Sequence, residues 1–373
     1  MKMDVLGIIF SNMYDHMMGD LTKHRCMGSI PVGGRYRLID FSLSAFANAG
    51  IEDVGVITKS NYQSLMDHLG TGREWDLTRK RGGLAILPPF GHVSSAGMYQ
   101  NRIEALMGIM DYIRSNGSTY ILGTDCDYVA NFDYADFLQE HVDSGADISL
   151  MYRKTVVEGQ ELKEVTTFTL DGASDIVDMM IYPQITGTHN VYINAFLISR
   201  ELLMRLITDR ISHNLSSFNR DILQASVGKY KMHAYEFKGY AARFDSIQGY
   251  YNANMAFLSK DVRSSLFPQE RPVYTKVRDE APVRYGLNSL VKNSLAADGC
   301  IIEGEVENSV LFRGVVVEKG TKIKNSIVMQ GTRVGAGSSL EYVITDKDVQ
   351  IRDGHVLTGV ATFPVYINKG IIV

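Results

Sequence analysis

The sequence predicts a mixed α/β domain followed by a smaller domain built as a parallel β-helix. Three observations support this fold class. Short β-rich runs alternate with helical stretches through roughly the first two thirds of the chain. A segment rich in proline and charge interrupts this pattern, and a 17-residue apolar repeat follows it. The predicted boundaries are residues 1–258 for the first domain, 259–285 for a linker and 286–373 for the second domain.

Five apolar runs in the first domain have the length and composition of strands. They cover residues 5–10, 54–58, 84–87, 119–122 and 148–152. Between the third and the fourth of these runs, residues 101–114 are predicted to form a helix. Its apolar residues recur every three or four positions and are predicted to face the core: Ile103, Leu106, Met107, Met110 and Ile113.

The predicted linker contains Pro268, Pro272 and Pro282 among charged residues. Beyond it, three sets of residues recur at intervals of 17: Val306, Ile323, Leu340 and Leu357; Val310, Ile327 and Ile344; Gly320, Gly337 and Gly354. A period near 17 with turn glycines fits a coil of three flat faces, about six residues each, as in hexapeptide-type β-helices. A β-sandwich with accidental spacing is the alternative, and the agreement of three sets argues against it.

Composition narrows the classes of partner. A formal charge of −4 and a pI near 6.2 disfavour nucleic acid or an anionic membrane as the main partner. Cys26, Cys126 and Cys300 are far apart and show neither a disulfide framework nor a zinc spacing, so we expect a reducing cytoplasm. Residues 5–10 form only a short apolar run, so we expect neither a secretion signal nor a membrane span.

Two strings suggest a family. Residues 33–44 are GGRYRLIDFSLS, and residues 298–312 contain DGCIIEG and NSVLF. With the domain order, they resemble bacterial glucose-1-phosphate adenylyltransferase, also called ADP-glucose pyrophosphorylase, over nearly the whole chain. The resemblance implies a Rossmann-like nucleotidyltransferase domain with a mixed sheet, followed by a left-handed β-helix. It also implies glycogen biosynthesis, in which ATP and glucose 1-phosphate give ADP-glucose and diphosphate.

The loop at residues 11–31 departs from that family's catalytic pattern. Active members carry three glycines there, an arginine that faces the triphosphate and a lysine. The corresponding residues of this chain are Asn12, Met13, Asp15, Met17 and Met27. A loop that holds a triphosphate needs small residues and cations, and losing two cations should cost on the order of 10³-fold or more in rate. We therefore predict little or no activity from this chain alone, with the methionines partly filling the nucleotide pocket.

Two further subsites depart from the pattern of active members. Residues 97–105 carry Asn101, Arg102 and Ile103 where active members have a small Gly-Thr-Ala, so a bound base would be crowded. The sugar-phosphate subsite, Glu-Lys-Pro in active members, corresponds to Ile181, Tyr182 and a retained proline. Binding residues are thus missing at the nucleotide, base and sugar-phosphate subsites. This predicts that selection for catalysis has been relaxed in the whole pocket, and not that the chain has changed its substrate.

Two carboxylates match the magnesium ligands of active members, Asp125 after a predicted strand and Asp245 in the string RFDS. Mg²⁺ binds weakly to one or two carboxylates unless substrate phosphates complete its shell. We therefore expect a vestigial site and no cofactor requirement for this chain, with Mg²⁺ serving a catalytic partner. The alternative is that both carboxylates accept hydrogen bonds at strand ends.

Arg35 and Arg37 are the candidates for an effector site, since Arg35 matches a position where relatives carry a basic residue implicated in activator binding. Two arginines suit a sugar bisphosphate or similar anion. The alternative is that they form ion pairs at the domain junction.

The resemblance is strongest to the regulatory second subunits of this enzyme, which implies a catalytic subunit as partner in a heterotetramer. Two other functions stay open. One is a working adenylyltransferase with replacement cations at His16, Lys23, His24 and Arg25, although residues 23–25 are predicted to be a solvated charge run. The other is a stand-alone sugar-phosphate sensor. The β-helix and the apolar tail at residues 360–373 favour assembly.

Overall fold

The computed structural model describes residues 4–80, 82–89, 99–157, 165–184 and 186–373. It contains a mixed α/β domain followed by a β-helix of three parallel sheets, which confirms the predicted fold class. Within these residues, no helix combines the length and the apolar character needed to cross a membrane.

The α/β domain contains thirteen strands in the described residues, several of them very short. In chain order they are β1 (Val5–Phe10), β2 (Pro31–Val32), β3 (Tyr36–Arg37), β4 (Asp53–Ile57), β5 (Leu84–Leu87), β6 (Tyr120–Asp125), β7 (Tyr128–Ala130), β8 (Ile148–Val157), β9 (Thr166–Leu170), β10 (Ile176–Ile181), β11 (Gly187–Ser199), β12 (Met232–Glu236) and β13 (Ala241–Arg243).

Its α-helices are α1 (Leu38–Asn48), α2 (Gln63–Leu69), α3 (Arg102–Gly108), α4 (Met110–Ser115), α5 (Tyr134–Ser144), α6 (Arg200–Ser212), α7 (Ile247–Ala256) and α8 (Lys260–Leu266). Short 3-10 helices cover Asp15–Thr22, Met27–Ser29 and Arg73–Trp75, and a π-helix covers Phe218–Gln224.

The central sheet has nine strands, in the order β10-β9-β11-β6-β1-β4-β5, with β8 joining β11 to β12. Strand β1 is parallel to both β4 and β6, and Phe10 lies opposite Asp125 in the register. Because parallel strands end at the same edge of a sheet, the loop after β1 and the residues after β6 lie side by side. Ligands of open α/β sheets bind at such carboxyl ends.

Alternate residues of the central strands face two separate apolar cores, as the two-residue period of a strand requires. Val5 and Ile9 belong to one core, while Leu6, Ile8 and Phe10 belong to the other. The chain is therefore buried on both sides of its sheet, which explains why its strands appear in the sequence as continuous apolar runs.

The predicted helix at residues 101–114 is two helices, α3 and α4, separated at Ile109, whose φ of −111° is not helical. This break rotates the apolar stripe. Ile103, Leu106 and Ile113 are buried as predicted, but Met107 is 39% exposed, so its placement in the core was wrong.

Part of the predicted linker is regular structure. Helix α8 lies inside the predicted linker. The helix is possible there because the first proline of the linker, Pro268, comes only after the helix ends. Leu266 at the end of α8 is fully buried, and the ring of Phe267 stacks on Tyr36 at 5.2 Å between centroids. Arg284–Tyr285, also within those bounds, is the first strand of the β-helix.

The β-helix consists of three five-stranded parallel sheets. Their strands are Arg284–Tyr285, Ile301–Ile302, Val316–Val317, Arg333–Val334 and Gln350–Ile351 in the first; Leu290–Lys292, Glu305–Glu307, Lys322–Lys324, Ser339–Glu341 and Val356–Thr358 in the second; Leu295–Ala296, Val310–Leu311, Ile327–Val328, Val343–Thr345 and Val365–Ile367 in the third.

The 17-residue repeat is the register of these sheets. Val306, Ile323, Leu340 and Leu357 stack in one sheet, and Val310, Ile327 and Ile344 stack in another. The three predicted turn glycines have φ between 67° and 72°, a conformation that a side chain would strain. The interval between the first two strands of this sheet is shorter, because Val306 pairs with Val291, only 15 residues earlier.

The third sheet packs against the α/β domain. Val310, Ile327 and Ile344 belong to the same apolar core as residues of α1 and β4. The Tyr251 hydroxyl of α7 donates to the Asn325 carbonyl at 2.8 Å. The two domains therefore share one core, while the interior of the β-helix forms another.

Candidate functional site

The loop at residues 11–31 is held together by its own side chains. The Asp15 carboxylate accepts a hydrogen bond from the Met27 amide at 2.7 Å, and burial raises the pKa of Asp15 to about 7. The Asn12 side-chain oxygen accepts from the Tyr99 hydroxyl at 3.0 Å. Met27 is buried in the core, and Met13 and Met17 pack against it while partly exposed. Two residues at positions that are glycine in active members therefore hold the loop in place: Asp15 fixes it to itself, and Asn12 fixes it to Tyr99 outside the loop.

A cluster of four charged residues lies where β1 and β6 end. We call Arg102, Asp125, Asp127 and Arg243 the buried charge cluster. An Arg102 Nη2 hydrogen bond reaches Asp125 Oδ2, and Arg243 Nε lies 3.2 Å from Asp127 Oδ2. The Asn194 amide also donates to Asp127 at 2.8 Å. Strand β13 places Arg243 by pairing with β7, opposite Tyr128.

Aromatic rings hold both arginines of the cluster. The Arg102 guanidinium lies 5.1 Å from the ring centroid of Phe10 and 5.2 Å from that of Phe218. Arg243 lies 5.2 Å from the ring centroid of Tyr14. Such contacts with the negative faces of rings favour a cation, most of all where water is excluded.

Burial and charge act in opposite directions in this cluster. Burial raises the pKa of both Asp125 and Asp127, and the neighbouring guanidinium groups oppose that rise. Burial alone would lower the pKa of Arg102, but the neighbouring acidic groups, Asp125 first among them, together outweigh burial and raise the pKa. The cluster thus contains two carboxyl groups and two arginine cations, and its net charge is small.

The donor set does not fit Mg²⁺, the ion that the family resemblance implies for these carboxylates. One oxygen of Asp125 and one of Asp127 are engaged by guanidinium groups, and a divalent ion beside two arginine cations would be strongly repelled. Within the described ranges, no group of three or more His, Cys, Asp or Glu side chains could hold a metal.

Asp245 lies outside the buried charge cluster. Its Oδ1 accepts from the Ser246 hydroxyl at 3.0 Å, next to the start of α7, where Ser246 caps the helix by accepting from the Gly249 amide. The geometry of Asp245 matches the alternative considered for it, an acceptor at the end of an element.

Ile181 and Tyr182, at the predicted sugar-phosphate subsite, end strand β10 near the edge of the sheet. Tyr182 has a φ of 54° and a side chain that is 59% exposed, and its amide donates to the Val165 carbonyl at 2.8 Å. Neither residue supplies a positive charge for a phosphate, so the substitution leaves this subsite without its anion-binding group.

A basic pocket lies between the two domains, and we call it the junction pocket. Among the residues that the structure describes, its lining includes no carboxylate and five basic side chains: Arg35, Arg37, Arg278, Arg313 and Lys347. His68 and Tyr36 complete the wall from the α/β domain, and Phe312 and Gln330 complete it from the β-helix. An uncompensated group of cations in a concave site is suited to a multiply charged anion.

The structure brings the two predicted effector residues, Arg35 and Arg37, to this pocket. Arg35 is exposed and lies 5.7 Å from the ring centroid of Tyr36. Arg37 donates to the hydroxyl of Ser64 at 3.1 Å, and burial lowers its pKa to about 10. Neither makes an acidic ion pair among the described contacts, contrary to the alternative of ion pairs at the junction.

Two cations of the β-helix complete the pocket. Arg313 is only 7% exposed, and its Nε and Nη2 have no hydrogen-bond partner within the described part of the chain. Burial, together with the charges of Arg37 and Arg25, lowers the pKa of Lys347 to about 7. Both groups would be stabilised by an anion, since the protein leaves their charge poorly compensated.

Sequence reasoning missed these two cations, although the repeat contained a signal for them. Arg313, Gln330 and Lys347 are each 17 residues apart and all line the pocket. They occupy one column of the β-helix, and extending the repeat to polar positions would have found them.

Arg25 ties the loop at residues 11–31 to the β-helix. Its Nη2 lies 2.7 and 2.9 Å from the two carboxylate oxygens of Asp346, which also accepts from the Tyr366 hydroxyl at 2.8 Å. Arg25 is 3% exposed. The prediction of a solvated charge run was therefore wrong for Arg25, because its partner lies in the other domain, and right for the exposed Lys23 and His24.

Comparisons with known proteins agree with both domains. Residues 17–162 match the nucleotidyl transferase family, and residues 281–361 match the GlmU-like C-terminal hexapeptide family. The chain is 36% identical over 371 residues to the glycogen biosynthesis protein GlgD of Bacillus subtilis, covering 99% of this chain and 96% of that protein. It is 31% identical over 362 residues to the glucose-1-phosphate adenylyltransferase of Bacillus cytotoxicus, covering 95% of each.

Proposed function

Because the chain belongs to the family of glucose-1-phosphate adenylyltransferases and GlgD proteins, we propose that it acts in glycogen biosynthesis as a non-catalytic subunit. In this proposal it joins a catalytic subunit that makes ADP-glucose with Mg²⁺, as a hetero-oligomer such as a heterotetramer, and changes the activity or effector response of that subunit. The chain itself requires no cofactor.

The observation that carries this proposal is the position of the anion-binding groups. The loop at residues 11–31 has methionines and Asp15 where a triphosphate needs glycines and cations, and guanidinium groups hold the carboxylates after β6. The junction pocket, by contrast, concentrates cations from both domains. An anion-binding site between the two domains, in place of a triphosphate-binding loop, suits a regulatory role.

The carboxyl-terminal part of the β-helix supports assembly with a partner. Val356, Val360, Phe363 and Ile372 are each at least 55% exposed. Large apolar side chains grouped in one part of a sequence and left exposed are typical of interaction surfaces. We propose this part of the β-helix as a contact for the catalytic subunit.

The decisive experiment measures ADP-glucose formation from ATP and glucose 1-phosphate with Mg²⁺, using this chain alone, the catalytic subunit alone and both mixed. We expect the chain alone to be on the order of 10³-fold or more slower than the catalytic subunit, since it lacks two phosphate-facing cations. The mixture should differ from the catalytic subunit in rate or effector response.

Other outcomes of this experiment identify the alternatives. Robust turnover by the purified chain would contradict the proposal and favour an adenylyltransferase with other phosphate anchors. A mixture that behaves as the sum of its parts, with sugar-phosphate binding by this chain alone, would favour a stand-alone sensor.

Binding of an anion in the junction pocket should weaken as the pH rises through 7. Below its pKa of about 7, Lys347 carries a positive charge that attracts the anion, and above it the side chain becomes neutral. Titration calorimetry with a hexose bisphosphate at pH 7 and pH 9, a range in which its phosphates stay dianionic, would measure the change, which we expect to be at least about 5-fold in Kd.

The Lys347→Met variant should bind the bisphosphate weakly at both pH values and lose most of this pH dependence. Lys322→Met, a surface change on another sheet of the β-helix, is the matched control and should behave like the wild type. An unchanged affinity in Lys347→Met would place the anion elsewhere.

A further inference from the structure

We propose that the Arg102 guanidinium replaces a divalent cation at the end of β6, so that Asp125 and Asp127 form a latent metal site closed by the protein's own side chain. This inference deepens the proposed function and rests on it, since it gives a physical cause for the lack of metal-dependent catalysis. In the sequence, Arg102 indicated only steric crowding of a base subsite, and its charge had no assigned role.

The two oxygens of each carboxylate, Asp125 and Asp127, are paired differently. Each carboxylate has its Oδ2 engaged by a guanidinium, while its Oδ1 has no hydrogen-bond partner within the described residues. Asp125 is 4% exposed and Asp127 1% exposed. Buried carboxylate oxygens without partners are rare because their desolvation is costly. Two of them at the end of one strand are hard ligands of the kind that divalent cations prefer.

The charges of the buried charge cluster balance one another. Two carboxyl groups face two arginines, so the cluster has no negative charge left to attract a divalent ion. Removal of Arg102 would leave Asp125 without its cation in a buried site. An unpaired buried carboxylate either takes up a proton or recruits a cation from solution.

Arg102 is fixed in place by its neighbours. It is the first residue of α3, its guanidinium lies between the rings of Phe10 and Phe218, and its Nη1 lies 3.3 Å from the Asn219 side-chain oxygen. A side chain held on several sides does not move aside for a hydrated ion. Arg102 therefore excludes the ion by charge and by occupancy.

The test uses Mn²⁺ as the probe and electron paramagnetic resonance on the full chain without substrates. We expect the wild type to bind no Mn²⁺ at the cluster. Arg102→Gln, which keeps an uncharged stem between the two rings, and Arg102→Thr, which opens the site, should each gain one Mn²⁺ per chain, at least 10-fold tighter than any wild-type binding. Arg102→Lys keeps the charge and should not gain it.

A second substitution locates the bound ion. Adding Asp125→Asn to Arg102→Gln should abolish the gain, whereas adding Asp133→Asn, at a carboxylate paired with Arg271 outside the cluster, should leave it intact. A folded Arg102→Gln variant that binds Mn²⁺ no better than the wild type would overturn the inference. The inference would also be overturned if the wild type bound Mn²⁺ and Asp125→Asn removed that binding. This second result can be obtained even if the Arg102 variants fail to fold.

The outcome is separable from that of the proposed function. An inactive wild-type chain with no gain of Mn²⁺ in the variants overturns only this inference. A wild-type chain that makes ADP-glucose overturns the proposed function, whatever the variants bind.

Discussion

Replacing Asp346 by alanine should lower the free energy of unfolding by about 3–5 kcal/mol, the usual cost of leaving a buried ionic partner unpaired. The substitution removes both carboxylate oxygens that accept from Nη2 of Arg25, a residue only 3% exposed, and also the acceptor of the Tyr366 hydroxyl. Urea denaturation followed by circular dichroism would measure the change. Glu305→Ala, which removes a surface partner of Lys322 at 3.9 Å, should cost less than about 1 kcal/mol.

The partner substitution Arg25→Met should cost less than Asp346→Ala. Arg25 lowers the pKa of Lys347 and Asp346 raises it. Without Arg25, Lys347 gains a proton more readily and can compensate Asp346, which keeps its hydrogen bonds from the Tyr366 hydroxyl and the Lys347 amide. Equal losses from the two variants would contradict this account, because they would mean that Lys347 does not respond.

Replacing Ile327 by alanine should cost about 2–5 kcal/mol, the range for removing a buried branched side chain. Ile327 is fully buried in the core that the β-helix shares with the α/β domain. Because that core joins the domains, we expect one unfolding transition at a lower denaturant concentration, with both domains unfolding together. Tryptophan fluorescence reports on the α/β domain through Trp75, the single tryptophan, and circular dichroism reports on the whole chain.

Phe363→Ala is the control for Ile327→Ala, because the Phe363 ring is 76% exposed. It should change the stability by less than about 0.5 kcal/mol. Two separate transitions in the Ile327→Ala variant, with the tryptophan signal unshifted, would show that the shared core does not couple the domains.

The β-helix was predictable because its long-range contacts follow a local interval. A coil of 17 residues places Val306 on Ile323 and Val310 on Ile327, so sequence spacing and spatial register are the same quantity. In the α/β domain no such rule exists. Five of its strands were predictable from their apolar runs, but the other strands and the order of the sheet were not, and neither was the break between α3 and α4 at Ile109.

At Met17 and Met27 the sequence alone shows that a cation is missing, because residue type decides the charge. The site was not predictable where a distant partner decides the chemistry. Arg25 appeared in a run of charges, yet its partner lies 321 residues away. Arg102 appeared as a bulky residue in a base subsite, and only the fold shows that its charge meets Asp125. A single sequence does not show which side chains from distant helices, strands and loops come into contact.

The junction pocket has one more consequence, which follows from having walls in both domains. Any anion that binds there holds the α/β domain and the β-helix together, so part of its binding free energy becomes cohesion between them. At a concentration of 100 times its Kd, such a ligand would add about 2.7 kcal/mol to stability. A partner subunit that tightens the same junction would strengthen binding of the anion. Thermodynamic reciprocity requires the anion to strengthen assembly with that subunit by the same factor.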